Sequence, residues 1–297
     1  MLDLTVIILT LNEEIHIKRC LDRIMPIAKK IYIVDSPSID KTAQIAANCG
    51  AEVVVNKWPG SHAKQLNWAL DNLAIETEWI LRLDADEYLT DELIAELNEK
   101  LPKLDDNISA VILPLKRMFM GRHIKHGTSD VSMIRIFRKD KVKCEDRLMD
   151  EHMTLLSGET ITFKGAFVDD NINSISFFTE KHNGYATKEA IVALSEELGL
   201  NKDNNDLSEA TKTKRAQKNK YYSMPLFLRA FIYFCLRYFI RGGFLDGKEG
   251  FLWHFLQGWW YRTLVDAKIF EIKKCCGNDK DKIKEYIKAN YNINITK

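Results

Sequence analysis

Asp84 and Asp86 flank Ala85 at the end of the apolar run Trp79-Ile80-Leu81-Arg82-Leu83, and two hard-oxygen donors at this spacing could grip one divalent cation. On a strand, residues i and i+2 share a face, so both carboxylates would converge while Ala85 points away. The same acids also fit a turn ahead of a helix, because Thr90-Asp91-Glu92 reads as a helix start. No Gly-x-Gly-x-x-Gly follows the first apolar run, which argues against a dinucleotide-binding dehydrogenase. No Gly-x-x-x-x-Gly-Lys-Ser/Thr loop is present either. Any bound phosphate would therefore need a cation and basic side chains to neutralise it, with Asp84 and Asp86 holding the cation and Lys64 as a basic candidate.

The elements that must position these groups alternate between strand and helix. Thr5-Val6-Ile7-Ile8-Leu9 is a continuous apolar, β-branched run of the kind buried on both faces of a parallel sheet. Ile17, Cys20, Leu21 and Ile24 then recur at helical spacing as far as Pro26, and Ile31-Tyr32-Ile33-Val34 forms a second strand ending at Asp35-Ser36. A helix through Thr42, Ile45 and Ala46 leads to Gly50 and a strand over Glu52–Val55. A further helix from Ala63 to Leu73 precedes the strand that delivers Asp84. Ligands of open α/β sheets bind at the C-terminal ends of the strands, so Thr10, Asn12, Glu13, Asp35, Asp84 and Asp86 are expected to line one crevice.

Three spaced motifs, Thr10-Leu11-Asn12-Glu13-Glu14, Val34-Asp35-Ser36-Pro37-Ser38-Ile39-Asp40-Lys41-Thr42 and Leu83-Asp84-Ala85-Asp86-Glu87, coincide with three strand ends. Together they resemble the family 2 glycosyltransferases of GT-A fold, over roughly the first half of the chain. The resemblance implies an α/β protein with a mostly parallel sheet flanked by helices, a catalytic domain over residues 1–180, and a helical C-terminal region over 181–297. It implies that Thr10, Leu11, Glu13 and Asp35, with Asn12 beside them, contact the base and ribose of a nucleotide sugar. Asp84 and Asp86 would be the pair that binds Mg or Mn and the diphosphate. Pro37 stands where the family usually has glycine, which restricts the backbone there.

Trp58 to Asn67 is similar to the family's next donor-site element, placing Lys64 and Asn67 on one helix face near the diphosphate. The stretch from Cys144 to His152 looks like the family's acidic element. It suggests Asp150 as the catalytic base, with Glu151 second and Glu145 or Asp146 behind them; His152 would orient a carboxylate, contact the acceptor or simply pack. Inverting transfer needs such a carboxylate to take the acceptor hydroxyl proton as that oxygen attacks C1 opposite the departing diphosphate. Two other classes stay open: a sugar nucleotidyltransferase, although its glycine- and lysine-rich phosphate loop is missing, and a non-catalytic membrane-surface adaptor.

The remainder of the chain reads differently. A polar stretch from Leu200 to Lys220, with a cationic run over Lys212 to Lys220, suggests a loop. Met224 to Arg241 is then dense in Phe, Leu, Ile and Tyr but interrupted by arginines, which disfavours a spanning helix. On a helical wheel, Arg229, Arg237 and Arg241 fall within about one third of the circumference. That stripe beside an aromatic face suits a helix lying in a membrane interface, its arginines reaching phosphates; the alternative is packing on the catalytic domain or in a dimer. The segment from Arg241 to Arg262 also resembles bacterial transferases that build lipopolysaccharide core or exopolysaccharide on lipid-linked acceptors. The partners implied are a nucleotide-sugar donor, a glycan or lipid-linked acceptor and a membrane surface. A net charge of +1 argues against nucleic acid. The six cysteines lack metal or redox spacing and read as reduced packing residues. With a strand signal at the first residues and no room for a signal peptide, a cytoplasmic enzyme on the inner face of the cell membrane is expected.

Overall fold

The computed structural model describes residues 1–145, 152–199 and 221–294. Asp146, Asp150 and Glu151, the polar stretch at 200–220 and the last three residues lie outside the described residues. The chain divides into two compact units, one of residues 1–125 with 129–172 and one of residues 126–128 with 173–297.

The first unit begins with β1 (Leu2–Thr10), α1 (Ile17–Ile24), β2 (Ala28–Asp35), α2 (Thr42–Asn48), β3 (Glu52–Val55), α3 (His62–Asn72) and β4 (Trp79–Asp84). It continues through β5 (Glu87–Leu89), α4 (Asp91–Lys100), β6 (Ile108–Phe119), β7 (Arg122–His123), β8 (Ser132–Arg138), β9 (Val142–Cys144), β10 (Met153–Leu155), β11 (Glu159–Thr162) and β12 (Phe167–Asp169). The main sheet runs β3-β2-β1-β4-β8-β6-β12-β5. Its first four strands are parallel, and β8 is antiparallel to both β4 and β6.

The unbroken apolar character of β1 reflects burial on both faces. Val6 and Ile8 pack with Ile17, Cys20, Leu21 and Ile24 of α1, whereas Ile7 and Leu9 pack with Ala63, Leu66 and Ala69 of α3. A slip of one residue would exchange the two faces, so this double burial pins the strand register and with it the level of the strand ends. Helix α4 starts where its sequence signal lies, with the Thr90 hydroxyl accepting from the Leu93 N–H at 3.2 Å.

The second unit is helical. It contains α5 (Ile175–Glu197), α6 (Leu228–Cys235), a π-helical turn (Leu236–Ile240), a 3-10 turn (Gly243–Asp246) and α7 (Gly247–Trp253). A second π-helical turn (His254–Trp260), α8 (Tyr261–Cys276) and α9 (Lys280–Tyr291) complete it. Its apolar core joins Ala190, Ile191 and Leu194 of α5 to Val265, Ile269 and Ile272 of α8 and Ile283 and Ile287 of α9.

The expected outward stripe of arginines does not form. Arg229 is 2% exposed and bonds Asp266 through Nε at 2.8 Å, and Arg237 is 7% exposed with its Nε donating to the Gly127 carbonyl; Arg241 alone of the three is exposed. A buried guanidinium needs acceptors, and Asp266 and the carbonyl of Gly127 supply them inside the unit, so these side chains turn inward.

His254 is fully buried, donates Nε2–H to the His126 carbonyl at 3.1 Å, and leaves no room on either side: a Cβ on Gly127 or Gly243 would lie 2.5 or 2.4 Å from its ring. Burial, with Arg237 nearby, depresses its pKa from 6.5 to about 4, while the His126 carbonyl and Asp246 act the other way. Since the folded value is the lower one, the stability this neutral ring contributes is complete above about 6.5 and lost as pH falls toward about 4. The denaturation midpoint should accordingly drop across that interval, and a His254→Gln variant should show a shallower acid slope in chemical unfolding followed by circular dichroism.

Candidate active site

The parallel register places Thr10 of β1 beside Asp35 of β2, and Leu9 beside Asp84 of β4, so the three strand ends expected to share a crevice are level. Asp35 is 2% exposed, yet its oxygens are satisfied: Oδ1 accepts from the Thr10 hydroxyl at 2.7 Å and from the Ser38 hydroxyl at 2.6 Å, and Oδ2 from the Ser38 N–H at 2.8 Å. Below it, buried Gln65 of α3 donates to the Ser36 hydroxyl at 3.1 Å and the Asn56 carbonyl at 3.2 Å, and accepts from the Asn56 amide at 2.8 Å. This network ties α3 to the ends of β2 and β3.

The loops after β1 and β2 are stitched together. Asn12, at φ +56°, accepts from the Ile39 N–H through its side chain at 2.9 Å, while its own N–H donates to Ser38 Oγ at 2.9 Å. The Glu13 N–H donates to Thr42 Oγ1 at 2.7 Å, and Leu11 is 51% exposed at the loop surface. Glu13 Oε2 lies 2.6 Å from Nδ1 of His16, a fully buried imidazole whose Nε2 is 3.0 Å from the Ile172 N–H. Because Nε2 accepts from that amide, the ring proton sits on Nδ1 and is donated to Glu13, which fixes the carboxylate in place.

Strand β4 ends at Asp84 and the chain turns through Ala85 and Asp86 before β5. The strand-face argument thus stops at Asp84, and Asp86 is placed by other means, although Ala85 is buried in the core as the alternation requires. The Asp86 carbonyl accepts from the Asp170 N–H at 3.1 Å and from Arg19 Nη2 at 3.4 Å, and Asp86 Oδ2 accepts from Asn171 Nδ2 at 2.9 Å. Arg19 is itself held by Asp170 Oδ2 at 2.6 Å. Residues just beyond β12 therefore set the aim of the turn.

Asp84 stands among cations, with Oδ1 accepting from Arg82 Nη2 at 2.8 Å and Oδ2 3.9 Å from Arg135 Nη2. Beneath it Glu87 is buried, bonds Arg135 directly and accepts the Asp84 N–H at 2.9 Å. Burial pushes the Glu87 carboxyl up to about 8 against the pull of Arg135. Burial also raises Asp169 of β12, where Arg117 works downward and the charges of Asp86 and Asp84 add to the rise. Asp84, Asp86 and Asp169 thus share one electrostatic neighbourhood.

Among the described residues no group of three or more His, Cys, Asp and Glu side chains could enclose a metal. Two partly exposed carboxylates fit a different arrangement, in which a Mg or Mn ion is shared between one or two protein oxygens and substrate phosphates. Asp84 and Asp86 offer the hard oxygens that such an ion prefers.

Lys64 is exposed in the first turn of α3, whose Ser61 cap accepts the Lys64 N–H at 3.2 Å. Asn67 faces elsewhere: its Nδ2 donates to the Cys144 carbonyl at 2.9 Å and its Oδ1 accepts the Cys144 N–H at 3.1 Å. It clamps β9 to α3. Asp150 and Glu151, the expected bases, lie outside the described residues, and Glu145 donates its N–H to the His152 carbonyl at 2.9 Å. The sequence reading missed His16, Gln65, Arg135, Asp169 and Asn171. Two of these left signals: the i, i+3 spacing of Glu13 and His16, and a charge inside the otherwise apolar Met133–Phe137 strand that demands a buried partner.

The sequence profile of Glycosyl transferase family 2 matches residues 5–157. An uncharacterized glycosyltransferase of Rickettsia typhi is 27% identical over 248 residues, covering 82% of this chain and 79% of that protein. The lipopolysaccharide core biosynthesis glycosyltransferase LpsC of Rhizobium meliloti is 24% identical over 284 residues, 91% of this chain and 93% of its own length. Among solved structures, glucosyl-3-phosphoglycerate synthase from Mycobacterium tuberculosis, in complex with Mn2+, UDP and glucosyl-3-phosphoglycerate, is 24% identical. The overlay covers 40% of this chain and 44% of that one at a TM-score of 0.30, too low to carry an argument here.

The two bonds from Asn67 to Cys144 separate a donor contact from a structural clamp. Asn67→Ala should lower unfolding stability by about 1–3 kcal/mol while leaving donor affinity, read by calorimetry, within about twofold. A large loss of affinity at unchanged stability would assign Asn67 to the donor instead.

Proposed function

The chain belongs to glycosyl transferase family 2, and on that premise we propose that it is an inverting, metal-dependent transferase. It would move a sugar from a nucleoside-diphosphate sugar to a hydroxyl of a glycan or lipid-linked acceptor in the building of cell-envelope polysaccharide or lipopolysaccharide. The observation that carries this reading is the acidic turn Asp84-Ala85-Asp86 at the sheet rim, level with the Thr10–Asp35 pair. The near full-length similarity to LpsC supports the substrate class. Peripheral attachment to the inner face of the cell membrane belongs to the same reading.

In this mechanism Thr10, Leu11, Asn12, Glu13 and Asp35 form the ledge for base and ribose. Because the loops after β1 and β2 are already cross-bonded, little of the donor's binding energy is needed to order them. Lys64, at the start of α3, faces the diphosphate together with the free amides of the first helical turn. Asp84 and Asp86 would hold Mg or Mn, which when bound neutralises charge growing on the departing diphosphate. Arg82 and Arg135 keep Asp84 oriented, and Asn171 does the same for Asp86. On the opposite face of the sugar, Asp150, with Glu151 as the alternative, takes the proton from the acceptor hydroxyl as its oxygen bonds to C1 and the bond from C1 to the diphosphate oxygen breaks.

Incubation with a panel of nucleotide sugars tests the class directly: a transferase releases nucleoside diphosphate, a nucleotidyltransferase makes or consumes pyrophosphate, and an adaptor does neither. Asp84→Asn and Asp86→Asn should each reduce release by about two or more orders of magnitude in proteins that unfold at wild-type denaturant concentrations. Unchanged turnover in both, with chelator present, would remove the metal from the reading. Asp150→Asn should cut kcat by about 100-fold or more with donor affinity nearly constant, and an unaffected rate would pass the role to Glu151.

A further inference from the structure

We propose that the second unit binds an anionic lipid bilayer through the outward side of α6 and the turns that follow it, with its apolar side chains entering the acyl boundary. The proposal gives the membrane-borne acceptor of the preceding reading a specific docking surface, and it rests on that reading only for its purpose. Between Phe227 and Phe251 the exposed side chains are apolar except for Arg241 and Lys248. Phe239, Ile240, Phe244 and Leu245 are 57%, 78%, 51% and 56% exposed, and Phe231 and Leu236 extend the same surface. The Tyr238 ring joins them into one patch, with centroids 5.1 Å from Phe239 and 6.3 Å from Phe244.

The polarity of this segment is the reverse of an ordinary surface helix. Its arginines at 229 and 237 face the interior, and its large apolar groups face out. Clusters of this kind mark interaction sites rather than idle surface. None of the helices among the described residues is long and apolar enough to cross a membrane, so an interfacial position fits better than a span. The charge at the patch selects the partner. Asp246 is buried and Glu249 half-buried, which leaves the exposed charge cationic and suited to anionic headgroups. A second copy on the same face would bring Arg241 and Lys248 of both chains together, with no exposed acid between Phe227 and Phe251 to receive them.

The test is co-sedimentation of the full chain with phosphatidylcholine vesicles and with vesicles carrying about 30% phosphatidylglycerol, alongside transfer to a water-soluble acceptor. Wild type should pellet with the anionic vesicles at low salt. The Phe239→Ser, Ile240→Ser pair should bind about tenfold or more weakly, and the Arg241→Glu, Lys248→Glu pair several-fold more weakly, at undiminished soluble-acceptor transfer. Wild type remaining in the supernatant overturns the proposal, as do variants that bind like wild type, or a dimer in sedimentation velocity that the serine pair dissolves. Should the serine pair lose its cooperative melt, the charge-reversal pair decides. Vesicle binding without sugar transfer would sink the functional reading and leave this surface standing; transfer without vesicle binding would do the opposite.

Discussion

Carboxylates crowded at the end of a sheet can stay ionised and fixed only if cations are packed among them, and that constraint organises the first unit. Asp84, Asp86, Glu87, Asp169 and Asp170 gather within two short segments, and Arg19, Arg82, Arg117 and Arg135 come from α1, β4, β6 and β8 to meet them. The buried Glu87–Arg135 pair is the keystone. It lies under Asp84 and takes the Asp84 backbone N–H, so the last residue of β4 is held through both main chain and side chain. Removing either partner would strand a buried charge, which is far more costly than never having had the pair. The antiparallel insertion of β8 beside β4 is what brings Arg135 to this place.

The second unit follows the opposite plan, with polar chemistry inside. Glu189 of α5 accepts from Tyr222, Tyr261 and Arg262, and Asp266 of α8 accepts from Arg229 and from the Phe227 N–H. These buried contacts allow helices with abundant apolar surface to be fixed without consuming that surface in the core. A unit stabilised in this way can present Phe and Ile outward and still have a defined fold.

Most of the first unit was legible in sequence because its signals are local. Ile17, Cys20, Leu21 and Ile24, spaced for a helix, are the buried face of α1, and the Glu52–Val55 and Ser132–Arg138 runs are β3 and β8. The strand-end residues Thr10, Asp35 and Asp84 were legible for the same reason, since parallel strands of known register must end together. What local pattern could not supply was the placement of Asp86, which depends on contacts from Asp170 and Asn171 more than eighty residues away in sequence. Asn67 shows the same limit, because helical spacing gives its face but not its partner on β9. The arginine stripe failed for a geometric reason. A wheel of 3.6 residues per turn places Arg237 and Arg241 together, but a π-helical turn lies between them and the helix ends there.

Those wide turns have a consequence for how the second unit tolerates change. Each i to i+5 loop holds one residue more than a regular ladder requires, and the later one runs directly into α8. Excising a single residue from His254–Trp260 would let the ladder close regularly, yet it would swing everything downstream by about 100°. Val265, Ile269 and Ile272 would then leave the α5 contact and Asp266 would leave Arg229. The surplus residue acts as a phase setter for the whole C-terminal half, so chain length in this stretch is constrained more tightly than side-chain identity.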